Sequence, residues 1–228
     1  MNCFERVGLH IRYNNSIYEV IEKAKRLGIV TFQFFLLKRS DPFNFSHINF
    51  ADTQGIAQTM CNAFKNVYVH ISFWSDLVCG NKKCENLFLK EIKYAKKIGA
   101  THIVFHAGSA RRHESIDIGI NNILQALDPI INQNADVEFI LENTAFGNYY
   151  IGSDFKHLNR IKNNLSDSTN LKFCLDTAHA YAFGYDISDE NKIDNFLAFV
   201  DSEVGLDSIA LIHLNNTQVE CGSKIDKH

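Results

Sequence analysis

Proline is nearly missing, with only Pro42 and Pro129 in 228 residues. No Gly/Ser linker, low-complexity tract or long run of like charge divides the chain either, so residues 1–228 read as a single domain. Net charge is small, −3 with a sequence pI near 6.4. No overall basic field announces a nucleic-acid partner, and any such binding must use a local patch. No apolar run approaches the roughly 18 residues of a membrane span, and the opening MNCFERVGLH has charges at its fifth and sixth positions in place of a signal-peptide core. The expectation is an intracellular protein, cytoplasmic or nuclear and not secreted. The six cysteines (Cys3, Cys61, Cys79, Cys84, Cys174, Cys221) follow no disulfide spacing, which fits reduced thiols. Cys79 and Cys84, in CGNKKC, read as a plain loop, because two thiols fall short of a four-ligand zinc site.

What the chain has is alternation. FERVGLHI (4–11) reads as a strand. SIYEVIEKAKRLG (16–28) reads as an amphipathic helix, with Ser16 as N-cap, Glu19 completing a capping box and Gly28 as its stop. A strand over 29–37 follows, then a helix near 54–65, strand NVYVHI, helix LFLKEIKYAKKIG, strand THIVFH, helix 116–132 and strand DVEFILE. The series closes with helix 154–164, strand LKFCLD, helix 190–204 and strand SIALIH. Apolar strands separated by amphipathic helices indicate an α/β fold of parallel strands buried on both faces, in a barrel or a doubly wound sheet.

Five of these strands end on a metal-ligating residue type: His70, His106, Glu142, Asp176 and His213. Their separations are 36 (106 − 70), 36 (142 − 106), 34 (176 − 142) and 37 (213 − 176). Each interval is one strand–helix repeat, so all five share one end of the strands, where a (β/α) barrel carries its active site. A lone strand-end histidine is usually a capped or solvated residue; five in phase imply a ring. Imidazole and carboxylate without required thiolate suit zinc, with manganese or iron as alternatives. His179, three residues after Asp176, and Asp226 with His228 in SKIDKH raise the candidate ligands to eight. A cluster of two or three ions sharing a carboxylate follows, a device for hydrolysing phosphate esters.

With these residues assembled, the chain resembles the endonuclease IV family of apurinic/apyrimidinic (AP) endonucleases, through GLHI, VYVH, VFHAGS, ILENTA, CLDTAHAYAFGYD, LIHLNN and GSKIDKH in the family's order. The resemblance implies a TIM-type (β/α) barrel and a zinc-dependent DNA repair endonuclease. Such an enzyme cuts double-stranded DNA 5′ to an abasic site through a hydroxide activated by up to three zinc ions. It implies that His70 and His106 bind one zinc with Glu142, which bridges as the catalytic carboxylate to a second zinc held by Asp176 and His213. His179, Asp226 and His228 would hold the third. His10, Asn143, Asp186 and Asn215 lie inside the matching motifs and are expected to orient the ligands. By loop position Arg39, Phe73, Trp74, Arg111 and Lys224 are expected to contact DNA, with Phe73 or Trp74 as the wedge.

The chain departs from the family pattern at Ala107, Asn216 and Gln218, and RYNNS replaces a glycine-rich loop. It also ends before the family's eighth strand, which carries a further glutamate ligand. An incomplete barrel of about seven strands is therefore expected, with self-association through its open edge. The rival readings are a lesion-binding paralogue without hydrolysis and a metal-dependent sugar isomerase or epimerase, which would leave His179, Asp226 and His228 without a purpose.

Overall fold

The structure, a computed structural model, describes residues 6–13, 16–37, 45, 53–110 and 115–228. In chain order its elements are β1 (Leu9–His10), α1 (Ile17–Arg26), β2 (Thr31–Phe35), α2 (Thr53–Ala63), β3 (Asn66–His70), α3 (Lys82–Lys97), β4 (His102–His106) and β5 (Gly108–Ser109). They continue with α4 (Ile116–Gln133), β6 (Glu138–Glu142), β7 (Tyr150–Ile151), α5 (Phe155–Asn164), β8 (Leu171–Asp176), α6 (Thr177–Phe183), α7 (Glu190–Val204) and β9 (Ile209–His213). Among the described residues no helix is long and apolar enough to cross a membrane.

The chain forms two compact units. One draws on residues up to Ser75, Asn86–Phe105 and Asp136–Glu138; the other on Asp76–Glu85, His106–Ala135 and Phe139–His228. In the first, parallel strands run in the order β1-β2-β3-β4, with Phe35 opposite His70 and His70 opposite Val104. Ser16 caps α1 as expected, its Oγ accepting from Glu19 N at 3.2 Å, and the helix buries Ile17, Val20, Ile21 and Ala24. Phe32, Phe34, Phe88 and Phe105 are fully buried and form the centre of this unit's core, Phe88 meeting Phe105 edge-on at 5.2 Å. Helix α3 begins at Lys82, five residues before the expected start, where Asn81 Oδ1 accepts from Lys83 N at 2.9 Å.

In the second unit β6, β8 and β9 are parallel neighbours, with Glu142 opposite Cys174 and, past a bulge at Phe173/Cys174, Asp176 opposite His213. Phe139, Phe155 and Phe173 fill its core. Strands β6 and β8 are buried on both faces, as continuous apolar runs require. β9, equally apolar in sequence, leaves Ile212 58% exposed, because among the described residues its neighbour is β8 alone. The short pair β5 and β7 is antiparallel and anchors the loop after β4. There Gly108, at φ +113°, lies so close to the Asp76 carboxylate that a Cβ would overlap it, and Asp76 accepts from Ser109 N at 2.9 Å.

Candidate metal centre

The candidate ligands Glu142 and Asp176 are positioned by pairing that continues past their strand ends. Beyond Glu142, the Asn143 side chain substitutes for a peptide unit: its Nδ2 donates to Asp176 O at 3.1 Å and its Oδ1 accepts from Asp176 N at 2.6 Å. This extends the pairing of β6 with β8 and fixes Glu142 beside Asp176. Asp176 in turn caps α6, accepting from His179 N through Oδ1 at 2.9 Å, while Oδ2 accepts from Asn215 Nδ2 at 2.6 Å. The carboxylate and the imidazole arrive together because one starts the helix that carries the other. Thr177 closes the arrangement, donating to Asn215 O at 2.7 Å and accepting from Asn215 N at 3.0 Å.

His179 is buried, and its Nδ1 lies 2.9 Å from Asn143 O. A carbonyl only accepts, so Nδ1 carries a proton, and Nε2 is the nitrogen turned toward a metal or a second proton. That Nε2 is buried without a well-formed hydrogen bond and faces Asp226 Oδ1 at 3.5 Å. Asp226 Oδ1 also meets His228 Nδ1 at 2.9 Å. The segment bearing this pair docks on α6 through Gly222 N to Tyr181 O at 3.1 Å and Lys224 N to Ala182 O at 2.8 Å. Lys224, expected at the DNA surface, directs its ammonium onto Phe183 O and over the Phe183 ring at 3.3 Å.

Glu142 is 2% exposed. Its Oε1 meets His213 Nδ1 at 2.9 Å and lies 3.5 Å from His179 Nδ1, and its Oε2 lies 3.6 Å from His106 Nε2. One carboxylate thus faces histidines with both oxygens, as a bridging ligand must. Burial opposes a proton on His179, but Asp226, Asp176 and Glu142 outweigh it and push its pKa up to about 9. His213 is raised against burial in the same way by Glu142 and Asp176, and Asp226 is lowered, chiefly by His179. The field invites positive charge.

The donor set fits zinc. Two ligands about 2.0–2.2 Å from one tetrahedral ion stand roughly 3.3–3.5 Å apart. The His179–Asp226 and His106–Glu142 separations of 3.5 and 3.6 Å match that spacing and are long for hydrogen bonds. Donor atoms of Asp176, His179 and His228 lie within 4.8 Å of one another, as do those of Glu142, Cys174 and His213. Cys174 and Thr177 were not expected here; alternation along β8 puts Cys174 on the face of Asp176, the one signal that marks it.

The remaining expected residues divide by unit. In the first, His70 is buried, and its Nδ1 donates to Ile71 O at 2.8 Å, which makes Nε2 the candidate ligand atom. His10 Nδ1 accepts from Gln33 Nε2 at 3.0 Å. Phe73 and Trp74 are each 55% exposed. In the second unit, Asp186 accepts from Ser188 N and pairs with Lys192 at 2.9 Å, contacts that tie it to the start of α7. Arg39 and Arg111 lie outside the described residues.

A family model described as a xylose isomerase-like TIM barrel matches residues 21–228. A protein named probable endonuclease 4 from Thermoplasma volcanium is 33% identical over 97% of this chain and 78% of its own length. A probable endonuclease 4 from Aquifex aeolicus is 30% identical over 97% of this chain and 79% of its own length. The crystal structure of endonuclease IV from Thermus thermophilus superposes with a TM-score of 0.82 at 25% identity, covering 98% of this chain and 81% of that one. The α/β architecture and these matches together establish that the chain belongs to the endonuclease IV family of xylose isomerase-like TIM barrels.

Proposed function

We propose that the chain is a metal-dependent DNA repair endonuclease that hydrolyses the phosphodiester 5′ to an abasic site. The observation that carries this reading is Glu142, buried, with its two oxygens facing His213 and His106. Glu142 with His106 and, one strand–helix repeat earlier, His70 would hold one zinc. Glu142 with Asp176 and His213 would hold the second, and His179, Asp226 and His228 the third. Zinc bound there would supply Lewis acidity to activate water near neutral pH and to neutralise charge on a phosphodiester. The chain's own residues aim the ligands. Asn143 O holds the Nδ1 proton of His179, Ile71 O that of His70, and Asn215 fixes the Asp176 carboxylate.

Phe73 and Trp74 serve as the wedge that fills the gap in the base stack, with Arg39 and Arg111 on the phosphates. Lys224 acts one step back, by holding the segment that bears Asp226 and His228. A sugar isomerase needs one or two ions and would leave that docked segment without a role, which favours the nuclease. A DNA substrate implies work inside the cell, and the exposed β9 edge with Ile212 and Leu214 is where two copies would associate.

The test is incision of an end-labelled duplex carrying one abasic site, with chelator-stripped and zinc-restored protein. Zinc-dependent cutting 5′ to the site, absent on undamaged duplex, is expected. A folded, zinc-loaded chain that binds the duplex without cutting it overturns the hydrolase and leaves a lesion-binding protein.

A further inference from the structure

Beyond β3 the chain makes a tight turn. Ser75 N donates to Ser72 O at 3.0 Å and Trp74 N to Ser72 Oγ at 3.2 Å. Ser75 is buried, whereas the two residues at the apex, Phe73 and Trp74, are each 55% exposed. Phe73 rests against the rings of Phe35 and His70 at 5.7 and 5.9 Å. Trp74 has no ring contact among the described residues, so its attitude depends on the turn.

Under the turn lies Glu91, from the inner face of α3 and fully buried. Its Oε1 accepts from Ser75 Oγ at 2.6 Å, and Ser72 N donates to Oε2 at 3.1 Å and to Oε1 at 3.3 Å. Every hydrogen bond of this carboxyl among the described residues goes to the first and last residues of the same four-residue turn. A buried carboxyl without a counter-charge is destabilising, and an apolar side chain of similar size would serve the core better. The residue makes sense through what it holds. It ties a surface turn to a 16-residue helix at both ends of the turn.

We infer that Glu91 is a positioning residue, which fixes the Ser72–Ser75 turn so that Phe73 and above all Trp74 meet the gap beside an abasic nucleotide already ordered. The role rests on the DNA-directed reading above. A pre-ordered wedge loses little freedom on binding, so detaching the turn weakens binding and leaves the chemical step alone.

The chain has one tryptophan, so intrinsic fluorescence of the full-length, zinc-loaded protein reports on Trp74 directly. In Glu91→Leu, steady-state anisotropy is expected to fall and acrylamide quenching to rise by about twofold as the turn loosens. The dissociation constant for an abasic-site duplex is expected to rise by about tenfold, with kcat on saturating duplex within about threefold of wild type. Glu91→Gln, which keeps an acceptor oxygen at the same place, is expected to restore both readouts. Ser75→Ala removes the shortest bond from the other side and decides the question if Glu91→Leu does not fold. Unchanged anisotropy and quenching in the folded Leu variant, or in Ser75→Ala, overturn the role of Glu91 whatever the duplex does. A wild-type chain that binds no abasic duplex instead overturns the DNA reading, and the wedge role with it, while the fluorescence still decides whether Glu91 fixes Trp74.

Discussion

Two buried carboxyls, Glu142 and Glu91, are 2% and 0% exposed and surrounded in opposite ways. Glu142 ends a strand and faces the imidazoles of His213, His179 and His106. Glu91 sits mid-helix and faces a hydroxyl and a peptide N–H. Burial pushes its pKa up to about 8, although Ser75 and Ser72 hydrogen bonds work against the rise. A carboxyl ringed by imidazoles is arranged to share cations. One ringed by neutral donors is arranged to hold a piece of chain, and it does so as the neutral acid at pH 7. Burial alone does not mark a metal ligand; the company does.

The hardest break on the Glu142 side is Glu142→Gln, which keeps the volume and removes the bridging charge. Incision of an abasic duplex is expected to fall by about 10³-fold or more, and bound zinc per chain, read by native mass spectrometry, to drop with it. A smaller loss is expected from Asn143→Ala, which strips the carbonyl-positioned segment of its side-chain bridge to Asp176. Zinc affinity should weaken by about 10–100-fold, measured by competition with a chromogenic chelator, without loss of the fold.

On the Glu91 side the comparison is sharpened by pH. The folded protein keeps the Glu91 proton up to about pH 8, against an ordinary value of 4.5, so the unfolded chain releases it first and gains stability as pH rises. The folded state should therefore lose about 3 kcal/mol between pH 5 and pH 8 from this group. Denaturant midpoints at several pH values are expected to show that fall as a difference between wild type and Glu91→Gln, which does not titrate. The smallest effect belongs to the exposed face of β9. Ile212→Lys should change monomer stability by no more than about 0.5 kcal/mol while shifting any association seen by light scattering toward monomer.

Most of the candidate ligand ring is legible in the sequence because each of these residues ends an apolar run at a repeating interval, and five strand ends in phase are more than capping or solvation of one residue accounts for. Helix α6 is not legible, because seven residues are too few to show a period and its start is set by the side chain of Asp176. The exposed side of β9 escapes notice for a different reason: SIALIH reads like the fully buried strands, and only its place in the pairing order distinguishes it. Glu91 hides in KEIKYAKK among solvated lysines, yet it falls on the stripe of Leu87, Phe88, Ile92 and Ala95 that α3 buries. A charged residue in an apolar stripe is the signal that could have exposed it.

The central claim is that Glu142 and its neighbours form a cation cluster. Anomalous diffraction at the zinc edge from crystals of the zinc-loaded chain tests it directly. The expected result is density beside Glu142, between His106 and His213, with a further peak among His179, Asp226 and His228. Zinc found elsewhere on the molecule, with both of these places empty in a folded chain, would contradict it.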